Sequence, residues 1–276
     1  MGGQEEKVIR EAMQQVEGRR RWKHGVAALR WLVAFWTLAL AVFFLVPWPL
    51  PGKVWAAAHG ICAQHAGHML GFAGQLLPLC ARDSGLYLGT LLGMAYLLAR
   101  GRSLAAGRPA RWFWIAFVAI VFFFAVDVAN STVADWFQSG VYPPDNLLRL
   151  SSGILLGATM AVPLLWALNL SFAGRQLDRP LLPLWIDLPA LLLVAVLGGV
   201  ALASGWSPLY VPLAVLSLAG MVGMLVGANF LWFLMMVKGR KTLDSGWEAI
   251  PFLLAASLAA VAEIAALSAL RYRLGL

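Results

Sequence analysis

The sequence predicts an all-α fold: a polytopic transmembrane bundle of about seven helices with its N-terminus in the cytosol. Three observations carry this expectation. Hydrophobic residues make up 61% of the 276 and charged residues 12%, whereas soluble domains are near half apolar and a quarter charged. The apolar residues gather into runs long enough to cross a bilayer, which takes roughly 20 residues of helix. The basic residues fall in the gaps between the runs and favour alternate gaps.

The chain divides into a leader, residues 1–25, and a bundle, residues 26–276. In the leader Val8, Ile9, Ala12, Met13 and Val16 recur at helical spacing, as expected for an amphipathic cytosolic or interface-lying helix. Arg19, Arg20, Arg21 and Lys23 follow it. The expected spans are Val26–Val46, Gly85–Ala99, Trp112–Val128, Leu150–Leu170, Leu184–Ala203, Leu209–Val237 and Trp247–Leu270. The second run is short, so its helix is expected to begin near Ala81. The sixth is long, and tilt accommodates it. Ala56-Ala57-Ala58 resembles a cleavage site but stands too far beyond the first apolar run, which reads as an uncleaved anchor.

Orientation follows from the cations. With the N-terminus inside, 16 of the 21 Lys and Arg residues lie on the cytosolic side and 5 on the other, as the positive-inside rule requires. The segments 47–82 and 130–149 are then extracytoplasmic, and the expected location is the cell inner (plasma) membrane. Membrane lipids are the expected partners. The net charge of +8 forms no continuous basic face, so nucleic-acid binding is not expected. No phosphate-binding glycine loop, zinc-protease helix or serine-hydrolase elbow occurs in the chain.

Chemistry-bearing residues concentrate in the two expected outer segments. Cys62, His65, His68, Cys80 and Asp83 read C-x2-H-x2-H-x11-C-x2-D. The three-residue steps put neighbouring members on one helical face, and two ligand pairs separated by a loop resemble a zinc site. Zinc is therefore the candidate cofactor. The competing reading is a Cys62–Cys80 disulfide, since paired cysteines on an oxidising face often bond. Asp127 closes the third apolar run, with Asn130 just beyond it. A carboxylate there is costly unless paired, and Arg82 and Arg149 are the candidate partners. Asp145 and Asn146 follow two prolines and precede the fourth span, where either can cap the helix. Glu263 lies within the seventh span, where a carboxylate is a functional candidate by default. Gly85, Gly89 and Gly93, and likewise Gly153 and Gly157, are spaced by four, which lets helices approach closely. The two segments are expected to form one site, with the Cys-His segment folded over Asp127 as a lid above a polar pocket.

Two longer motifs carry a resemblance. The first is Cys62-Ala-Gln64, His68-Met69, then Leu77-Pro-Leu-Cys80-Ala-Arg82-Asp83-Ser-Gly85-Leu-Tyr87-Leu-Gly89. The second is Asp127-Val-Ala-Asn130-Ser131, then Tyr142-Pro-Pro144-Asp-Asn146-Leu-Leu-Arg149-Leu-Ser-Ser-Gly153. In order and spacing they resemble the bacterial family of multi-pass membrane proteins termed domain of unknown function 2085. The family motif has cysteine or aspartate where Asp83 stands, cysteine in many relatives, and a glycine where Val128 stands. The resemblance supports Gln64 and His68 as site residues, leaves His65 outside the motif, and implies no reaction.

Three classes of function remain open at this level. One is a metal site acting on a substrate at the outer leaflet, with Cys62, His68 and Cys80 as ligands, Asp83 as fourth ligand or base, and Arg149 as an anion anchor. Another is a carrier or channel for a small solute or lipid, its polar path lined by Asp127 and Glu263. The third is a structural or accessory subunit stapled by a Cys62–Cys80 disulfide.

Overall fold

The computed structural model describes residues 2–172, 177–237 and 243–275, with side chains from residue 23 onward except at residue 50. The leader side chains before Lys23, and Arg175, Lys238, Arg240 and Lys241 from the charge count, lie outside the described residues. The backbone of the leader is continuous with the first span in one helix, α1 (Gly2–Leu45). Among the described residues seven further α-helices follow: α2 (Leu50–His59), α3 (Ala81–Ala99), α4 (Arg111–Phe137), α5 (Asn146–Leu170), α6 (Asp187–Ala203), α7 (Tyr210–Met236) and α8 (Gly246–Leu274).

Among the described residues, five helical stretches are long and apolar enough to cross a membrane: Lys23–Leu45, Arg111–Phe137, Asn146–Leu170, Ser207–Met236 and Gly246–Leu274. The other two expected spans are helices of a different kind. α6 is apolar but has only 17 residues. α3 begins at Ala81 and is the central helix, packed against α5, α6 and α7. Its inward faces carry Ser84, Gly85, Gly89, Thr90 and Gly93, all buried. A helix enclosed by protein exchanges lipid-facing bulk for close contact, which lowers its hydropathy. α1 packs on α8, and α4 packs on α5.

The α3–α5 contact explains the glycine spacing. A Cβ on Gly85 would stand 2.7 Å from Leu150 O, and one on Gly93 would stand 2.6 Å from Ala158 O. In return Gly153 and Gly157 lie against the carbonyls of Arg82 and Leu86. The backbones touch, so side chains rooted in the first turns of both helices meet.

The all-α expectation needs one correction. Residues 69–80 form an antiparallel hairpin, β1 (Met69–Phe72) and β2 (Gln75–Cys80). Its turn places Ala73 at φ 46° and Gly74 at φ 86°, the left-handed pair that matches strand twist. Phe72, Leu77 and Leu79 are buried beneath it. A second, parallel pair, β3 (Ala105–Gly107) and β4 (Leu177–Pro180), lies at the opposite end of the bundle. The hairpin end also holds α2, the α4–α5 connection and the C-terminus of α8, joined by Asn146 to Gly67, Tyr210 to Leu76 and Arg271 to His59.

Candidate functional site

Cys62, Cys80 and Asp83 converge where α2, β2 and α3 meet. Their ligand atoms all lie within 4.8 Å of one another. Each is placed by a local device. Cys62 ends a turn that continues α2, its amide donating to Ala58 O at 2.9 Å. Cys80 is the last residue of β2 and the N-cap of α3, its Sγ accepting from the Asp83 amide at 3.5 Å. Asp83 sits in the first turn of α3, where the helix dipole favours a carboxylate. The Cys80 amide donates to Cys62 Sγ at 3.2 Å. Cys62 is buried, Cys80 and Asp83 are half-buried, and both thiols are free.

The two thiols are unequal. A hydrogen bond from the Cys80 side chain pulls the Cys62 thiol below its usual range, against the opposing effect of burial. Cys80 is pushed well above its usual range, because it is the partner in that hydrogen bond and because it is buried. Tyr87, one turn beyond Asp83, packs in the same buried cluster as Cys62.

Gln64 braces this centre. Its Nε2 donates to Trp55 O and Pro78 O, both at 2.9 Å, and its Oε1 lies 3.1 Å from His59 Nδ1. Its backbone has φ 55°, a region costly for a non-glycine residue and held only when surroundings over-determine it.

A second polar centre lies beside the first. Arg82 Nη2 and Nε donate to Asp127 Oδ2 at 2.8 and 3.0 Å. Nη2 also donates to Ser131 Oγ at 2.9 Å and to Asp127 O at 3.2 Å. Ser152 Oγ donates to Asp127 Oδ2 at 2.9 Å and Tyr142 Oη to Oδ1 at 3.4 Å. Asp127 is wholly buried, and this shell satisfies both of its oxygens. Asn130 ties down the α4–α5 connection: its Oδ1 accepts from the Val141 amide at 2.7 Å and its Nδ2 donates to Tyr142 O at 3.0 Å.

The remaining expected residues separate. His68 Nε2 lies 3.2 Å from Asp135 Oδ1 at the end of α4, away from the thiols. Burial first, and then the charge of Arg149, lower the His68 pKa below 6.5 against the pull of Asp135. His65 is exposed and meets His68 edge-on, with ring centroids 5.4 Å apart. Asn146 Nδ2 donates to Gly67 O and Met69 O at 3.0 and 3.3 Å, strapping the hairpin to α5. Arg149 is buried, bonded to Asn146 Oδ1 at 3.1 Å and 3.9 Å from Asp135. Asp145 is the N-cap of α5, accepting from the Leu147 and Leu148 amides. Glu263 lies apart, exposed on α8 and accepting from Asn229 Nδ2 of α7 at 3.0 Å.

Cavities of about 670 Å³ along α1 and about 180 Å³ between α5 and α6 have mostly apolar linings, and neither is lined by a residue of either centre. Sequence reasoning passed over His59, Ser152 and Asp135 as partners. Only His59 carried a local signal, three residues before Cys62.

Both centres fall within one stretch of chain, and that stretch has relatives. Residues 62–163 match the family described as predicted membrane protein DUF2085. The DUF2085 segment holds Cys62, Cys80, Asp83, Arg82, Asp127 and Arg149, together with the α3–α5 contact that brings them together. The remaining helices, α1, α2, α6, α7 and α8, lie outside the DUF2085 segment. No curated protein and no solved structure matches the chain.

Proposed function

We propose that this is a multi-pass protein of the bacterial inner membrane, N-terminus in the cytosol, with an extracytoplasmic zinc centre at Cys62, Cys80 and Asp83 that acts on a substrate at the outer leaflet. The observation that carries the proposal is the convergence of two thiols and a carboxylate within 4.8 Å. Thiolate and carboxylate are ordinary zinc ligands, and three protein ligands leave one tetrahedral position open. Bound zinc would supply an acidified water and a Lewis acid at that position. The chain contributes the ligand set, the cap that aims Cys80, and the Gln64 brace. Surrounding lipids are the proposed partners, and the basic residues orient the bundle rather than bind nucleic acid.

Elemental analysis of purified protein tests this reading. One zinc per chain is expected in the wild type, and little in Cys62→Ser or Cys80→Ser. Protein that folds normally and contains no metal would end it.

A second reading is a Cys62–Cys80 disulfide in a structural subunit, favoured by the same closeness of the two sulfurs. Intact-mass measurement separates the two readings: the oxidised chain is lighter by two hydrogens and takes up no thiol reagent.

A further inference from the structure

Arg30 is a cation inside a membrane span. The apolar stretch of α1 runs from Lys23 to Leu45, and Arg30 lies about 10 Å along the helix from its start. A charge at that depth is costly and calls for a partner. Its own span supplies none, since residues 23 to 45 include no Asp or Glu. α8, the helix packed on α1, carries Glu248 in its first turn, but that side chain is buried and accepts from the Asp244 amide at 3.3 Å. Among the described residues Arg30 is exposed and its side chain makes no hydrogen bond or ion pair.

Arg30 also stands at one end of a groove. The cavity of about 670 Å³ along α1 runs from Leu29 and Arg30 past Val33, Ala34 and Thr37 to Ala41. Three- and four-residue steps keep these side chains on one flank of the helix. Gly25 and Trp36 occupy another flank, where α8 packs: Gly25 lies against the backbone of Trp247, and Trp36 Nε1 donates to Ser257 Oγ at 3.2 Å. Residues 30 to 41 rise about 16 Å, close to half of the roughly 30 Å hydrocarbon core. That is the depth of one leaflet. Side chains on a helix lean toward its N-terminus, so the Arg30 stem runs back toward Lys23, the direction in which a long cationic side chain reaches the lipid phosphates.

We propose that this flank of α1 binds an anionic diacyl phospholipid of the leaflet at the N-terminal end of the span, its phosphate on Arg30 and one acyl chain in the groove from Val33 to Ala41. A guanidinium matches phosphate oxygens in pairs. Free phosphate would satisfy Arg30 and leave the groove bare. A lipid without net charge would fill the groove and leave the cation uncompensated. An anionic lipid meets both needs with one molecule. The site rests on the membrane location of the chain, and it is independent of the thiol centre and of the side on which the N-terminus lies.

Native mass spectrometry of the purified full-length protein in neutral detergent tests this, with phosphatidylglycerol and phosphatidylcholine of identical chains added in turn. The wild type is expected to take up a first phosphatidylglycerol about fivefold or more tightly than phosphatidylcholine. Arg30→Gln is expected to erase that preference, and Lys23→Gln to keep it. Ala34→Trp is expected to weaken the binding of both lipids by filling the groove. Arg30 is exposed and unbonded, so Arg30→Gln should unfold at the wild-type temperature and its lipid binding can be read directly. Equal affinity of the wild type for the two lipids, or a preference that survives in Arg30→Gln, overturns the proposal. So does an equal loss in Lys23→Gln, the mark of diffuse attraction, and so does unchanged lipid uptake in Ala34→Trp. Displacement of the lipid by excess inorganic phosphate would make Arg30 a free-anion site instead. A wild-type dimer that takes up no lipid would put a second copy of the chain on the groove, and it too overturns the assignment.

Discussion

Arg82 in the first turn of α3 grips Asp127 of α4 through two nitrogens, at 2.8 and 3.0 Å from one carboxylate oxygen. α3 and α4 are not packed on one another; each packs on α5. The ion pair therefore bridges two helices across the N-terminal turns of a third, and Ser152 of α5 bonds the same oxygen at 2.9 Å.

Removing one partner leaves a buried charge without compensation, which costs about 3–5 kcal/mol. Asp127→Ala is expected to lower the thermal unfolding temperature in detergent strongly. The double substitution Arg82→Met with Asp127→Leu is expected to recover much of the loss, because it removes both charges. A double variant no more stable than Asp127→Ala would show that the pair does more than satisfy itself.

Gly157 of α5 lies against the carbonyl of Leu86. A methyl there meets backbone, which cannot swing aside as a side chain can. Gly157→Ala is expected to destabilise by about 1–3 kcal/mol through overpacking. Gly223 has no atom near a Cβ built on it, so Gly223→Ala serves as the control and should unfold at the wild-type temperature.

His68 gives the hairpin strap a pH dependence. Its pKa in the folded protein lies below 6.5, lowered by burial and by Arg149. The unfolded chain therefore takes up a proton that the folded chain refuses, as pH falls from about 6.5 toward the folded value. Stability contributed by this residue is complete above that window and is lost within it. Unfolding measured from pH 7.5 to 5 should show a slope that His68→Gln reduces. His65 is exposed, and His65→Gln should leave the slope in place.

Val141 is 94% exposed in the α4–α5 connection, on the same end of the bundle as the thiol centre. With Cys62 and Cys80 replaced by serine, Val141→Cys should react with a membrane-impermeant maleimide in intact cells. Reaction only after permeabilisation would place the centre in the cytosol.

The sequence by itself determined that this is a helical membrane protein, and which residues carry charge at the ends of its runs. Hydropathy is summed along the chain and needs no partner, so α5, α7 and α8 were readable to within a few residues, whereas α4 continues past the expected end at Val128 to Phe137, into the segment expected as a loop. The pairing of Asp127 with a cation was readable for the same reason: a carboxylate at the end of an apolar run has few affordable states. Spacing also brought out the glycines, because a four-residue repeat marks one face of a helix whatever it faces. Tertiary structure decided the rest. The C-x2-H-x2-H pattern assumes a helix from Cys62 to His68, but the chain leaves α2 at Gly60 and turns into the hairpin. Cys62 is thereby sent to Cys80 and Asp83, and His68 to Asp135. His59 gains its place only through Gln64 and α8, the latter more than two hundred residues away in the chain. Local spacing fixes which side chains share a face. Which faces meet is set by how α3, α5 and α8 pack, and that is a property of the whole chain.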